Sequence, residues 1–234
     1  MALVPAVIPI LAKGGCGVVL EAGAGALAGY PDAVYVEKGA RIASSRSQVF
    51  AETDAICQVL CYGANDKTGR VDLAFLRRDQ VLIGFLRPLG TPETVKEIAA
   101  TGAIAFAVEL MPRITRTQSM DALSSMSTIS GYKAVLLAAT TLPRMFPMLM
   151  TAAGTVTAAR VFVVGAGVTG LQAIAMARKL GAVVSGYDVR PAAREEMLSL
   201  GARIVELPLE TGEGVGPGGY ARAQDEASTS ASAS

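Results

Sequence analysis

The chain has 234 residues, 51% of them hydrophobic and 18% charged, with 21 Lys and Arg against 20 Asp and Glu. This near-neutral balance, without a basic block, argues against nucleic acid as a partner. Histidine is absent, which excludes Ser-His-Asp and Cys-His hydrolases and histidine-ligated zinc, and no metal site is expected.

Taken in order, the elements alternate. Residues 1–12 carry Pro5 and Pro9 and lack a basic leader, so they do not read as a signal peptide. Residues 4–13 predict a helix with Pro5 near its start. Residues 17–21 predict a strand, and residues 31–38 a helix closed by Gly39. Another strand begins at Arg41 and Ile42. The apolar run 55–61 predicts a buried strand whose Cys57 and Cys61 serve as small core hydrophobes. With Cys16 they make three cysteines, too few and too odd for a disulfide scaffold. A short helix at 71–76, a strand at 80–86, a helix at 92–100 capped by Thr91, and a strand at 103–109 complete the first half.

Residues 119–139 predict a helix that ends at Pro143 and connects two domains. The most apolar window, 134–150, is interrupted by Pro143, Arg144 and Pro147, so no membrane span is expected and the chain reads as soluble. The fold class is therefore α/β: two domains with mainly parallel sheets, the second a truncated Rossmann type. The division expected is 1–118 for the N-terminal domain, 119–158 for the connection and 159–226 for the nucleotide unit. The Ser/Ala tail at 227–234 is expected to be disordered.

The most informative segment is a strand at 160–164 running directly into Gly165-Ala166-Gly167-Val168-Thr169-Gly170 and a helix. Gly165 permits the tight turn, Gly167 lets the backbone approach a pyrophosphate, and Gly170 allows the helix to pack against the strand. Val168 opens the helix, whose N-terminal N–H groups favour an anion. A second strand at 183–187 ends in Asp188, 18 residues after Gly170, where a carboxylate accepts from both ribose hydroxyls of an adenosine. That carboxylate favours NAD(H) over a nucleotide with a 2′-phosphate, although the nearby Arg190 works against the distinction. A glycine-tight turn that binds nothing is the alternative.

The run Met111-Pro112-Arg113-Ile114-Thr115-Arg116-Thr117-Gln118-Ser119-Met120-Asp121-Ala122-Leu123-Ser124-Ser125 resembles the NAD-binding domain I of proton-translocating NAD(P) transhydrogenase, alpha-subunit type. Further matches are Gly131-Tyr132-Lys133-Ala134-Val135, Met148-Leu149-Met150-Thr151-Ala152-Ala153-Gly154-Thr155, the glycine turn with its helix, and Tyr187-Asp188-Val189-Arg190-Pro191. The resemblance implies direct hydride transfer from NADH on this domain to NADP⁺ on a separate domain III. A membrane domain II would couple the exchange to proton movement. Two nicotinamides need no protein acid or base between them, so the lack of histidine is compatible with the reaction.

The resemblance also implies roles. Arg113, Gln118 and Asp121 match a positioning loop: Arg113 near the carboxamide and phosphates, Gln118 reaching the other nucleotide, and Asp121 with Ser124 at the nicotinamide end. Ile114 and Thr115 would line the site, Val189 and Arg190 would flank Asp188, and Gly219 and Tyr220 match a mobile loop. A surface ion pair is the alternative for Arg113 and Asp121. A homodimer is implied, on the cytoplasmic side of the inner membrane and held there by its partners. The family has a further strand before the segment matching Met1-Ala2-Leu3-Val4-Pro5 and continues past Glu226, so the chain is expected to be truncated at both ends. Two other readings compete with this one: a non-catalytic fragment or interaction module, and an alanine-dehydrogenase-like oxidoreductase, whose catalytic histidine is absent here.

Overall fold

Both early prolines start helical turns instead of breaking them. Pro5 opens a 3-10 turn, Pro5–Val7, and Pro9 sits in the first turn of α1, Ile8–Lys13, where its missing N–H has no partner to lose. These elements begin the first of two compact units, Met1–Asp121 and Ala122–Ser234, in a computed structural model that describes residues 1–112 and 114–206.

In the first unit, β1 (Val19–Glu21) is joined through α2 (Asp32–Glu37) to β2 (Arg41–Ala43), and the two strands pair in parallel. Their core is Ile8, Leu20, Tyr35 and Ala40. A helix not foreseen follows, α3 (Arg46–Glu52). Its N-cap is Ser45, whose hydroxyl accepts from Gln48 N–H at 3.2 Å.

A three-stranded parallel sheet then forms in the order β3 (Ala55–Leu60), β4 (Val81–Phe85), β5 (Ile104–Ala107). The crossover from β4 to β5 is α4 (Pro92–Ala100). Thr91 stands at its N-cap without a capping bond; its hydroxyl instead donates to the Arg87 carbonyl at 2.9 Å. A 3-10 helix, Gly69–Ala74, occupies the place of the expected short helix. The expected strand 103–109 is shorter because residues Val108–Leu110 turn into a 3-10 helix.

The core here is Phe50, Ile56, Cys61, Leu82, Leu86 and Ile98. Cys61 is fully buried as expected, but Cys57 is exposed. Ile56 points into the core, so its strand neighbour Cys57 points out; the register irregularity between Cys57 and Leu60 breaks the alternation, and Cys61, just past the strand, is buried. Burial, helped by Asp72 and Glu109, pushes the Cys61 thiol up to about 12, so it is protonated and inert at neutral pH.

A charged network ties this unit together. Arg46 of α3 forks onto the buried Asp72, Nε to Oδ1 at 2.6 Å and Nη2 to Oδ2 at 2.8 Å. Its Nη1 donates to Glu21 Oε2 at 3.1 Å, and Gln58 Nε2 of β3 donates to Asp72 Oδ2 at 3.0 Å. One guanidinium thus joins β1 to the 3-10 helix, and Asp72 joins both to the central sheet.

The second unit begins with α5 (Ala122–Thr141), which ends just before Pro143. An antiparallel hairpin follows, β6 (Leu149–Thr151) and β7 (Gly154–Val156), within what the sequence reads as connection. Then come β8 (Arg160–Val164), α6 (Val168–Lys179), β9 (Val183–Tyr187), α7 (Pro191–Ser199) and β10 (Arg203–Ile204). The three strands are parallel in the order β10-β9-β8. The unforeseen α7 starts with proline at its first position, and its Ala193 and Met197 are buried. Ile174, Ala177, Val184 and Met197 centre the core, with Val135 of α5 joining it.

Gly131 explains how α5 approaches α6 so closely. A Cβ there would run into the Thr169 carbonyl oxygen and crowd Gln172. The last described strand, β10, ends at Ile204; Gly219, Tyr220 and the tail 227–234 lie outside the described residues. Among the described residues, no helix is long and apolar enough to cross a membrane.

Candidate functional site

The turn between β8 and α6 lies at the carboxyl end of the second unit's sheet, the customary ligand position of open parallel sheets. Gly165 has φ +88°, a left-handed conformation that L side chains rarely adopt, and its N–H donates to the Tyr187 carbonyl at 2.8 Å. Gly170 is buried one turn into the helix, and a Cβ on it would collide with the Gly165 carbonyl. Both glycines are therefore required by the protein's own packing.

Gly167 is different. It has φ −72°, which any residue adopts, and a Cβ there would meet nothing within 4 Å. Nothing in the described fold demands glycine at this place. The bare backbone leads directly into the N-terminus of a 12-residue helix whose N-cap carries no side-chain bond. Such an end supplies unpaired N–H groups and a favourable dipole for an anion.

Asp188 closes the site from the neighbouring strand. It is 8% exposed and accepts four hydrogen bonds. Oδ2 accepts from Ala166 N–H at 2.6 Å and Arg190 Nη2 at 3.1 Å; Oδ1 accepts from Arg190 N–H at 2.8 Å and Arg190 Nε at 3.0 Å. Burial by itself would raise the carboxyl, but the bonds from Arg190 and Ala166 outweigh it and hold it below its ordinary value. Asp188 is thus ionised at neutral pH, and it ties the glycine turn to the end of β9.

Gly165, Gly167, Val168, Gly170, Asp188, Val189 and Arg190 are therefore brought together in one unit. The bond from Ala166 to Asp188 was not foreseen; no side-chain pattern announces a backbone donor. The fork from Arg190 has a signal in the Asp-Val-Arg spacing, which the sequence presents only as a neighbouring charge. The Tyr187 hydroxyl, buried without a partner among the described residues, was also not foreseen.

The other candidates are placed differently. Ile114, Thr115 and Gln118 lie on an exposed stretch that includes the 3-10 helix Thr115–Met120, and Asp121 ends the first unit. Ser124 belongs to the first turn of α5 in the second unit. Arg113, Gly219 and Tyr220 lie outside the described residues. A shallow groove of about 450 Å³ on the second unit is lined by residues of α5, α6 and α7, including Leu171, Gln172 and Ser199. Among the described candidate residues only Val168 lines it.

Among the described residues no group of His, Cys, Asp and Glu side chains could hold a metal ion. The parallel sheet, the glycine turn and the strand-end carboxylate define the second unit as a Rossmann-type α/β domain. The family profile "Alanine dehydrogenase/PNT, N-terminal domain" matches residues 1–130, and "Alanine dehydrogenase/PNT, C-terminal domain" matches residues 134–233. The chain belongs to the alanine dehydrogenase/PNT family.

It is 41% identical over 209 residues to the first part of NAD(P) transhydrogenase subunit alpha from Rickettsia prowazekii, covering 89% of this chain and 54% of that protein. It is 41% identical over 229 residues to the protein of the same name from Rhodospirillum rubrum, covering 97% of this chain and 59% of that one. The crystal structure of transhydrogenase from Sinorhizobium meliloti superposes with a TM-score of 0.81 at 44% identity, over 88% of this chain and 60% of the other. The chain thus spans a little over half the length of these relatives.

Proposed function

We propose that the chain is the NAD(H)-binding component of a proton-translocating NAD(P) transhydrogenase. The carrying observation is the juxtaposition of the bare Gly167 backbone, the N-terminus of α6 and the ionised Asp188 on one sheet end. Similarity to the first part of transhydrogenase subunit alpha supports the same reading.

The residues fit a dinucleotide. Gly165, Gly167 and the first N–H groups of α6, from Val168 onward, would receive the pyrophosphate. Asp188 would accept from the adenosine ribose, flanked by Val189 and Arg190. Arg113, Ile114, Thr115, Gln118, Asp121 and Ser124 would position the nicotinamide end, and Gly219 and Tyr220 would close over it. The nicotinamide supplies the hydride chemistry when bound. The protein's role is to orient it and exclude water, which needs neither an acid nor a base. NADP(H) would sit on a partner domain III, with a membrane domain II coupling the exchange to protons. The chain would act as a homodimer at the cytoplasmic face of the inner membrane, held there by those partners. The absence of histidine weighs against alanine-dehydrogenase chemistry.

The test is an isotope transfer. The chain is mixed with a separately purified NADP⁺-loaded domain III and given NADH labelled with deuterium at the nicotinamide C4. Direct transfer delivers the label to NADPH without loss to water. NADPH formed without the label, or not formed at all, contradicts the proposed reaction.

A further inference from the structure

Asp188 is saturated by its own protein. A carboxylate has roughly four lone-pair sites, and four donors fill them here, two on each oxygen. These donors are of two kinds. The N–H groups of Ala166 and Arg190 are backbone, fixed by the glycine turn and by the start of α7. Nε and Nη2 of Arg190 belong to one partly exposed side chain and place one bond on each oxygen.

A vicinal diol would make the same pattern, with two adjacent O–H donors, one to each carboxylate oxygen. It could not do so while the guanidinium holds both places. Resting on the NAD(H) reading above, we propose that Arg190 is an internal surrogate for the ribose diol. Nucleotide binding exchanges the guanidinium for the diol on Asp188, and Arg190 thereby sets the preference between NADH and NADPH.

The displaced guanidinium stays tethered two residues from Asp188, beside the edge of the ribose. Glu196, further along α7, also attracts it. A 2′-phosphate at that edge would meet repulsion from Asp188 and attraction from Arg190. The same side chain therefore competes with NADH and assists NADPH. The two backbone donors remain in place throughout and keep the carboxylate oriented.

The experiment is calorimetric titration of NADH and NADPH into the full chain at one fixed salt concentration. The wild type, Arg190→Ala and Arg190→Lys are compared, with circular dichroism to confirm folding. Removing a competitor raises apparent affinity by the fraction of sites it blocked. In Arg190→Ala, NADH is expected to bind about 3- to 10-fold more tightly, and NADPH about 10-fold more weakly through loss of a charge-assisted pair. Arg190→Lys keeps the charge without the fork and is expected to tighten NADH while sparing NADPH; it decides the matter if the alanine variant does not fold. Weaker NADH binding in the folded variants, with NADPH unchanged, overturns the surrogate role alone. No NADH binding by folded wild type overturns the nucleotide reading and the surrogate role together.

Discussion

Replacing Gly170 by alanine is expected to destabilise the second unit by roughly 3 kcal/mol or more, near the upper range of overpacking costs. The added Cβ would collide with the Gly165 carbonyl, which is backbone and cannot rotate away. Either α6 lifts off β8 or the turn at Gly165 opens. Both outcomes uncover Ile174 and Ala177, which are fully buried in the core. The change should appear as a lowered urea midpoint and as faster hydrogen exchange in β8, α6 and β9.

Gly167→Ala is the necessary contrast. Its added Cβ meets nothing, and its φ of −72° suits alanine. Stability is expected to stay within about 0.5 kcal/mol, while NADH affinity falls because the methyl stands where the pyrophosphate would approach. If Gly167→Ala binds NADH as well as wild type, the bare backbone at 167 has no role in binding. If Gly170→Ala melts like wild type, the packing account of the turn is wrong.

Replacing Arg46 by alanine is expected to cost the first unit about 2–4 kcal/mol, from the loss of one partner of a buried ion pair, discounted for exposure. Asp72 is 4% exposed and would keep, among the described residues, only the bond from Gln58, while Arg46 is itself partly exposed. Loss of the guanidinium also removes its contact with Glu21 and its place 5.8 Å from the Phe50 ring centre. A fall in melting temperature of about 10 °C is the expected scale for a unit of this size. The double variant Arg46→Ala with Asp72→Leu should recover some of the loss, because the uncompensated charge is then gone. Equal destabilisation in the single and double variants would show that the guanidinium acts through packing and not through Asp72.

The second unit was legible because its signals are local. The β-branched run before Gly165, the spacing of the three glycines and the acid after Tyr187 each depend on a few neighbouring residues. The strands β8 and β9 and the start of α6 accordingly fall where expected. Elements whose reasons are tertiary were not legible. The opening Arg46-Ser47-Gln48 of α3 is polar because Arg46 is spent on Asp72, 26 residues away. The helix α7 carries Arg194, Glu195 and Glu196 on its exposed side, and only Ala193 and Met197 are buried. Cys57 carried the apolarity of a core residue, yet strand alternation turns it outward. At the site, the glycines and Asp188 could be named from spacing. The donors that saturate Asp188 could not, since two are backbone and the others depend on how the chain turns into α7.

The most direct measurement is a calorimetric titration of the folded wild-type chain with NADH, with NADPH as the control. The account predicts saturable binding of one NADH per chain, tighter than NADPH, and weakened in Gly167→Ala. A folded chain that binds neither nucleotide would contradict it, leaving a family member that serves as a non-catalytic interaction module.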